Sequence, residues 1–317
     1  MKNTLPLFIM ILSLSMINCN SKQGCTDSKA LNYDTKAKKD DGSCIQRNYT
    51  LQPQVITNLD AILKESSGLL NTDNLIWSFG DSGNKNEIYS IDTTNGNIIS
   101  TVTLSGVSNI DFEDIAQDSL YIYVGDFGNN NGNRQNLVIY KIPKQSNWNI
   151  TNTISPQAIQ FNYPDQTNFT NNANTDFDCE AMITQKGNIY IFTKDHSDQH
   201  TRLYKLPINP GNHTAELIST FNTQGLITGA SIADDGSKIA LTGFNPITDT
   251  AFVWVLNNFN NDQFFSGNNK LINIGSRTAV GQVEGVCFST NNMLYISNEQ
   301  KYTVPAKLWK LDISTVK

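Results

Sequence analysis

The sequence predicts an all-β fold, and most simply a five-bladed β-propeller. Three observations support this prediction. One pattern of strands and turns recurs five times, the two ends of the chain carry complementary incomplete units, and no helical periodicity of useful length interrupts the pattern. A closed ring of such units also removes the exposed strand edges that all-β proteins must otherwise protect.

Each repeat begins with a polar residue at the start of an apolar strand and continues through two further strands. The five units are ESSGLL, LIWSFGD and EIYSID (65–92); EDIAQD, LYIYVGD and LVIYKIP (113–143); EAMIT, IYIFTKD and RLYKLP (180–207); TGASIA, KIALTGF and AFVWVL (228–256); EGVCFS, LYISNE and KLWKLD (284–312).

Four units are followed by a fourth strand, and the fifth is not, because the chain ends at Lys317. The fourth strands are predicted at 98–104, 158–163, 215–221 and 270–275. The run VITNLD (55–60) precedes the first unit and belongs to none, so we expect it to complete the last blade. A degenerate blade within 144–176 would instead give a six-bladed alternative.

The N-terminus predicts export and a lipid anchor. Residues 1–18 combine Lys2 with a short apolar core, as in a signal peptide, and the run before Cys19 resembles a bacterial lipobox. Cleavage before Cys19 and lipidation of its thiol would anchor the chain to a bacterial membrane, at the outer membrane or the cell surface. We therefore expect the chain to contact a membrane through its lipid anchor. The alternative is an ordinary cleaved signal peptide with an incidental cysteine.

Residues 19–48 predict a small spacer before a propeller domain at 51–317. Export permits a disulfide between Cys25 and Cys44, which bracket a segment without its own hydrophobic core. This segment also offers oxygen ligands for a second Ca²⁺, namely Asp27, Asn32, Asp34, Asp40 and Asp41. A disulfide-tied stalk with solvated acids is the alternative. Cys179 and Cys287 lie in apolar strands and are expected to be free buried thiols.

Charge excludes one class of partner. The formal net charge is −6, and the surface is expected to be acidic and rich in Asn, which argues against nucleic acid binding.

The first residues of the five inner strands predict an axial metal site. Inner strands line the central channel, and their starting residues are Ser67, Glu113, Glu180, Thr228 and Glu284. Three glutamates converging in a low-dielectric channel repel one another, and a hard cation such as Ca²⁺ relieves that repulsion with oxygen ligands. Without a metal, such glutamates would cap backbone amides or bind channel water.

Loops on the same face predict a binding mouth above the ring. The candidate residues are Asp81, Asp126, Asp195, His196 and Glu299, with Arg134, Lys194, Arg277 and Lys301 as nearby cations. Rigid scaffolds often carry function on such loops. For Asp81 and Asp126, each followed two residues later by Gly, turn formation alone is the competing interpretation.

These motifs resemble known propeller families. The ring residues resemble the Ser, Glu, Glu, Ser, Glu calcium ligands of the calcium-activated nucleotidases (apyrases), and ESSGL and EGV also resemble SdiA-regulated propellers. ESSGL, DFEDIA and DFGNN resemble a group of secreted Bacteroidetes propeller lipoproteins without an assigned reaction. The apyrase resemblance implies an axial Ca²⁺, but residues 80–84 lack the arginine of the apyrase diphosphate-binding signature.

Two functions stay open on the sequence. In the first, the propeller is a binding module that presents its mouth to an unknown small molecule, glycan or protein, with Ca²⁺ as a structural ion. In the alternative, it is a calcium-dependent hydrolase of phosphorylated, lactone or ester substrates, with Asp81, Asp126 or His196 as general base.

Overall fold

The computed structural model of the protein describes residues 21–26, 30, 33–39, 48–144 and 152–316. Two compact units divide the chain, residues 1–47 and residues 48–317. No helix among the described residues is long and apolar enough to cross a bilayer.

In the first unit, Lys22 Nζ lies 2.5 Å from Asp34 Oδ2, and Cys25 is buried. The rest of the predicted N-terminal features lie outside the described residues: the signal peptide, Cys19, Asp27, Asn32, Asp40, Asp41 and Cys44. Lipidation, the disulfide between Cys25 and Cys44, and the second Ca²⁺ therefore stay predictions.

The second unit is built almost entirely from short strands. In chain order they are β1 (Tyr49–Thr50), β2 (Gln54–Asn58), β3 (Ser66–Thr72), β4 (Leu75–Gly80), β5 (Glu87–Ile91), β6 (Ile98–Leu104), β7 (Phe112–Gln117), β8 (Tyr121–Asp126), β9 (Leu137–Pro143), β10 (Asn152–Ile154), β11 (Gln157–Asn162), β12 (Cys179–Gln185), β13 (Asn188–Thr193), β14 (His200–Pro207), β15 (Gly211–Thr214), β16 (Glu216–Asn222), β17 (Leu226–Ile232), β18 (Lys238–Asn245), β19 (Thr250–Asn257), β20 (Asn268–Ser276), β21 (Gln282–Thr290), β22 (Met293–Glu299) and β23 (Lys307–Asp312). The helical elements described are 3₁₀ turns at Ala61–Leu63 and Phe264–Ser266 and the one-turn helix α1 (Arg277–Val280).

These strands form five sheets, which confirms the five-bladed β-propeller. From the axis outwards, blade 1 is β3-β4-β5-β6, blade 2 is β7-β8-β9-β11 and blade 3 is β12-β13-β14-β16. Blade 4 is β17-β18-β19-β20, and blade 5 is β21-β22-β23-β2. The outer strand β2 pairs antiparallel with β23, so the N-terminal strand closes the ring as predicted.

The six-bladed alternative is wrong. Within 144–176, β11 is the outer strand of blade 2, and β10 pairs in parallel with β6 at the outer edge of blade 1. Blades 2 and 4 gain similar parallel edge strands, β15 and β1. The sequence predicted four strands per blade, but passing segments of two to four residues satisfy the free backbone groups of these outer edges.

The hydrophobic core is divided among the spaces between neighbouring blades. Each of the five interfaces contains a cluster of buried apolar side chains. Representative pairs, from the interface of blades 1 and 2 round to that of blades 5 and 1, are Trp77 with Phe112, Tyr123 with Tyr204, Leu203 with Trp254, Val253 with Trp309, and Ile76 with Leu308. Because each blade buries apolar area against two neighbours, closure of the ring contributes directly to stability.

Asp114 joins three blades at the axis. It is fully buried on the inner strand of blade 2, and its Oδ2 accepts hydrogen bonds from Met182 N at 2.7 Å in blade 3 and from Ala230 N at 3.1 Å in blade 4. Its Oδ1 accepts from Ile115 N at 2.8 Å. At Gly68 in blade 1, an added Cβ would lie 2.9 Å from Asp114 Oδ1, so the inner strands approach closely there.

We expect Asp114→Asn to destabilise the propeller by about 2–4 kcal/mol, because the amide nitrogen would face backbone N–H groups that then lack an acceptor. For a domain of this size, the loss lowers Tm by roughly 5–12 °C in thermal unfolding. Asp312→Asn, an exposed carboxylate at the end of β23, is the matched control. Equal Tm values for both variants would contradict a joining role for Asp114.

Candidate functional site

The five predicted ring residues share one backbone feature. In every blade, the pairing between the inner and second strands shifts register, and the shift spans the ring position. The irregular stretches lie between Ser66 and Leu69, Phe112 and Asp114, Cys179 and Ala181, Ile227 and Gly229, and Val283 and Val286. Such irregularities re-aim side chains, and they are frequent beside functional sites.

Four of the five ring residues line one small cavity, which we call the upper pocket because it lies at the end of the axis where the inner strands begin. Its volume is about 120 Å³, and its lining residues are Glu65, Ser66, Ser67, Asp81, Glu113, Asn130, Glu180, Lys194, Gln282, Glu284 and Glu299. Six carboxyl groups therefore face one ammonium group. Thr228 is buried but does not line the cavity.

The ring hydroxyls bond to neighbouring blades. Ser67 Oγ donates to the carbonyl oxygen of Glu113 at 2.7 Å, and Thr228 Oγ1 donates to the carbonyl oxygen of Val283 at 2.8 Å. Each hydroxyl therefore joins its blade to the next one. The lone pairs of Ser67 stay available to a cation, since a hydroxyl donates and accepts at the same time.

Glu180 is paired within the pocket. Lys194 Nζ donates to Glu180 Oε1 at 2.7 Å, and both side chains are buried. Burial disfavours the charged ammonium, but the carboxylates of Glu180, Asp178, Glu284 and Glu113 outweigh that cost, so the pKa of Lys194 lies well above its usual value. The pocket thus contains its own positive charge.

Glu113 belongs to a second carboxylate group. One oxygen each of Asp81, Asp111 and Glu113 can lie within 4.8 Å of the others. Burial raises the pKa of Glu113 well above its usual value, and the charge of Glu180 adds to this. Burial, with the charges of Asp81 and Asp178, raises the pKa of Asp111 to about 7. The raised pKa values mean that the group tends to hold protons unless a cation neutralises the carboxylates.

Asp111 was not predicted, although the sequence contains a signal for it. It lies two residues before Glu113 in DFED, and alternate residues of an extended segment share a face. Gly128 provides the space: a Cβ at this position would overlap the carboxylates of both Asp111 and Glu113.

Glu284 completes the pocket from blade 5. Gln282 Nε2 donates to Glu284 Oε1 at 2.7 Å. Glu284 Oε2 is buried and has no hydrogen-bond partner among the described residues. Burial raises the pKa of Glu284 to about 8, although the nearby charge of Lys194 opposes the shift. A buried oxygen without a partner indicates that a proton or a cation is needed there.

The predicted mouth residues separate into two groups. Asp81 and Glu299 line the upper pocket, whereas Asp126, Asp195 and His196 do not. Asp126 Oδ1 lies 2.8 Å from Arg134 Nη2 and accepts from Asp111 N at 3.1 Å, so it holds the loop that carries Asp111.

The other two mouth residues have partners in blade 3, on strand β14 and in the loop before β12. Asp195 Oδ2 lies 2.9 Å from Arg202 Nη1, and Arg202 also pairs with Asp176 at 3.2 Å. The carboxylates of Asp176, Asp195 and Asp198 can approach one another, but this guanidinium already neutralises two of them. His196 Nε2 lies 3.0 Å from Asp178 Oδ2.

No family model and no curated protein matches the chain. Solved structures with similar folds include the catalytic domain of a Coprinopsis cinerea α-L-arabinofuranosidase, at 12% identity and TM-score 0.46, covering 84% of this chain and 98% of that one. A Penicillium chrysogenum α-L-arabinanase complexed with arabinobiose matches at 10% identity and TM-score 0.42, covering 80% and 81%.

A Bacteroides uniformis protein described as a candidate 6-phosphogluconolactonase matches at 14% identity and TM-score 0.35, covering 74% of this chain and 64% of that one. The chain thus spans less than two thirds of that protein's length. The five-bladed architecture of this chain is given by its own five sheets.

We expect the stability of the metal-free protein to fall as pH rises from about 5 to about 8. The pKa of Glu284 is about 8 in the folded state and 4.5 without the fold. Its contribution is therefore fully present below about 4.5 and is lost as the buried group ionises towards pH 8. Over this range Tm should fall by roughly 5–10 °C.

Glu284→Gln should reduce the slope of this pH dependence, because the amide stays neutral, while Asp111, whose pKa is about 7, keeps part of it. Glu216→Gln, at an exposed carboxylate of β16, serves as the control and should keep the native slope. If Tm of Glu284→Gln depends on pH as steeply as Tm of the native protein, Glu284 is not the titrating group.

Proposed function

We propose that this chain is an exported, lipid-anchored β-propeller whose upper pocket binds a divalent cation, with calcium as the preferred ion. The loops around the pocket would then bind a further ligand. The observation that carries the proposal is the group of Asp81, Asp111 and Glu113, whose oxygens can lie within 4.8 Å of one another. Calcium contacts oxygens at 2.3–2.6 Å, so a single ion can bridge oxygens about 5 Å apart.

The remaining chemistry of the pocket supports a hard cation. Ser67 offers a hydroxyl oxygen and Glu299 a further carboxylate. Glu284 offers a buried oxygen that accepts no hydrogen bond from any residue that the structure describes. Calcium takes six to eight oxygens, and water can supply those that the protein does not. The proposed ligands thus centre on Asp81, Asp111 and Glu113. Asp111 is not among the residues that line the cavity, but one of its oxygens lies within 4.8 Å of oxygens of Asp81 and Glu113, which do line it. The set differs from the five-residue ring, because Glu180 is paired with Lys194 and Thr228 lies outside the cavity lining.

The size of the pocket favours a binding role over turnover at the ion. A cavity of about 120 Å³ holds an ion with a few waters, whereas small-molecule sites usually measure about 300–1,000 Å³. A glycan, protein or larger small molecule would therefore contact the loops above the ion. Calcium would fix those loops, since Asp81 and Asp111 both lie in connections between strands.

Calcium-dependent hydrolysis is the second candidate, and the contact between His196 and Asp178 favours it. A carboxylate that orients an imidazole is a common arrangement for a general base. The charge of Asp178 also raises the pKa of Glu113, which places it near the proposed ion.

We expect about 1 mM calcium to raise Tm by roughly 5–10 °C relative to a chelator, because an ion at about 100 times its Kd stabilises the folded state by about 2.7 kcal/mol. Asp111→Asn combined with Glu113→Gln should abolish the shift. Asp262→Asn, which removes a carboxylate from a surface pair with Lys205, should keep it.

An unchanged Tm on adding calcium to the native protein would reject the proposed site. If calcium raises the Tm of the double variant as much as that of the native protein, the ion binds at another site. The segment between Cys25 and Cys44 would then be tested first.

For the second candidate, we expect calcium-dependent turnover of a nucleoside diphosphate, a lactone or an ester to fall at least tenfold in His196→Asn, since general bases contribute about 10²–10⁴-fold. Asp198→Asn is the control on the same loop. Absence of turnover across the three substrate classes would reject hydrolysis and leave binding as the proposed role.

A further inference from the structure

Lys194 is the basic side chain among the residues that line the upper pocket. It directly follows β13, and its backbone N donates to the carbonyl oxygen of Asp178 at 2.7 Å, so the lysine is held at both ends. Its Nζ lies 2.7 Å from Glu180 Oε1, and the side chain is only 10% exposed. This is a fixed buried ammonium rather than a surface lysine that visits the site.

The carboxylates of the pocket are therefore divided between two positions. Glu180 is committed to Lys194, while Asp81, Asp111 and Glu113 form a group that does not include Glu180. A cation bound by this group lies beside a cavity of about 120 Å³ that Asp81 and Glu113 line together with Lys194. The charge of Lys194 acts on both Asp81 and Glu113, so the same ammonium repels a cation held between these two carboxylates.

The same ammonium also competes for ligands. While Lys194 Nζ donates its hydrogen bond to Glu180, the carboxylate of Glu180 is less available as a ligand for an added cation. Glu113 and Glu284 both lie close enough for their charges to act on Lys194, so the lysine also offsets part of the negative potential that would attract a cation. Both effects lower the affinity of the pocket for a divalent ion.

On this basis we infer that Lys194 is a tethered counter-ion that regulates the upper pocket by limiting its affinity for divalent cations. The inference rests on the proposed function, since it concerns the same cation site. It assigns Lys194 a positioning role towards Glu180 and an inhibitory role towards the bound ion. Loss of the positive charge should leave Glu180 free to join the ligands of the ion.

Isothermal titration of the native full-length chain and of Lys194→Met with calcium chloride tests the inference. We expect calcium to bind at least tenfold more tightly to Lys194→Met, and Glu180→Gln added to that variant should reverse most of the gain. Lys194→Arg, which keeps the charge, should stay within threefold of the native affinity. Lys205→Met, which removes a lysine from a remote pair with Asp262, should have no effect.

Thermal unfolding without calcium shows whether each variant folds, and Lys194→Gln replaces Lys194→Met if the latter does not. Equal or weaker calcium binding by the folded variant, with binding by the native chain, overturns the inference and leaves the proposed function intact. Absence of binding in both proteins rejects both ideas. Binding by the variant alone supports the inhibitory lysine and counts against calcium as the ion of the native pocket.

Discussion

Convergence of five inner strands on one axis is the constraint on which the rest of the structure depends. The strands approach so closely that Gly68 and Gly229 leave no room for a Cβ against neighbouring blades. Asp114 accepts hydrogen bonds from buried backbone N–H groups of its own blade and of the next two blades, so these donors are satisfied at the axis. A register shift spans the ring position in each blade, and four of the five ring residues line the upper pocket.

The same convergence creates an electrostatic problem. Carboxyl groups from blades 1, 2, 3 and 5 meet in a cavity that admits little water. The protein meets part of this problem internally, because Lys194 pairs with Glu180 and the charge of Arg134 partly offsets the rise in the pKa of Asp111. What remains is the group of Asp81, Asp111 and Glu113, together with a buried oxygen of Glu284 that has no hydrogen-bond partner in the part of the chain that the structure describes. An acquired cation would complete the compensation, and protonation is the alternative when no cation is present.

Much of the fold was predictable because the same order of strands and turns recurs five times in the sequence. The five units, the outer strands and the closing strand β2 follow from strand periodicity and from the unmatched chain ends. The short edge strands β1, β10 and β15 were not predictable, since segments of two to four residues carry no periodic signal. Their pairing depends on where passing loops meet the outer edges of blades.

The sequence predicted which residues lie at the site, but it did not predict which side chains pair with each other there. Equivalent repeat positions identified Glu113, Glu180 and Glu284, and all three line the pocket. Sequence spacing did not reveal that Lys194 binds Glu180, that Arg202 binds Asp195, or that Asp114 bonds to blades 3 and 4. These contacts join residues that are brought together only when strand pairing and loop conformation are fixed in three dimensions.

The central claim is that the upper pocket holds a divalent cation between Asp81, Asp111 and Glu113. Anomalous X-ray scattering from a crystal soaked in manganese, which takes the oxygen ligands that suit calcium and magnesium, tests it most directly. The account predicts one anomalous peak within bonding distance of carboxylate oxygens from these three residues, displaced by excess calcium. A pocket with no anomalous peak, in crystals that diffract well enough to show ordered water there, would contradict it.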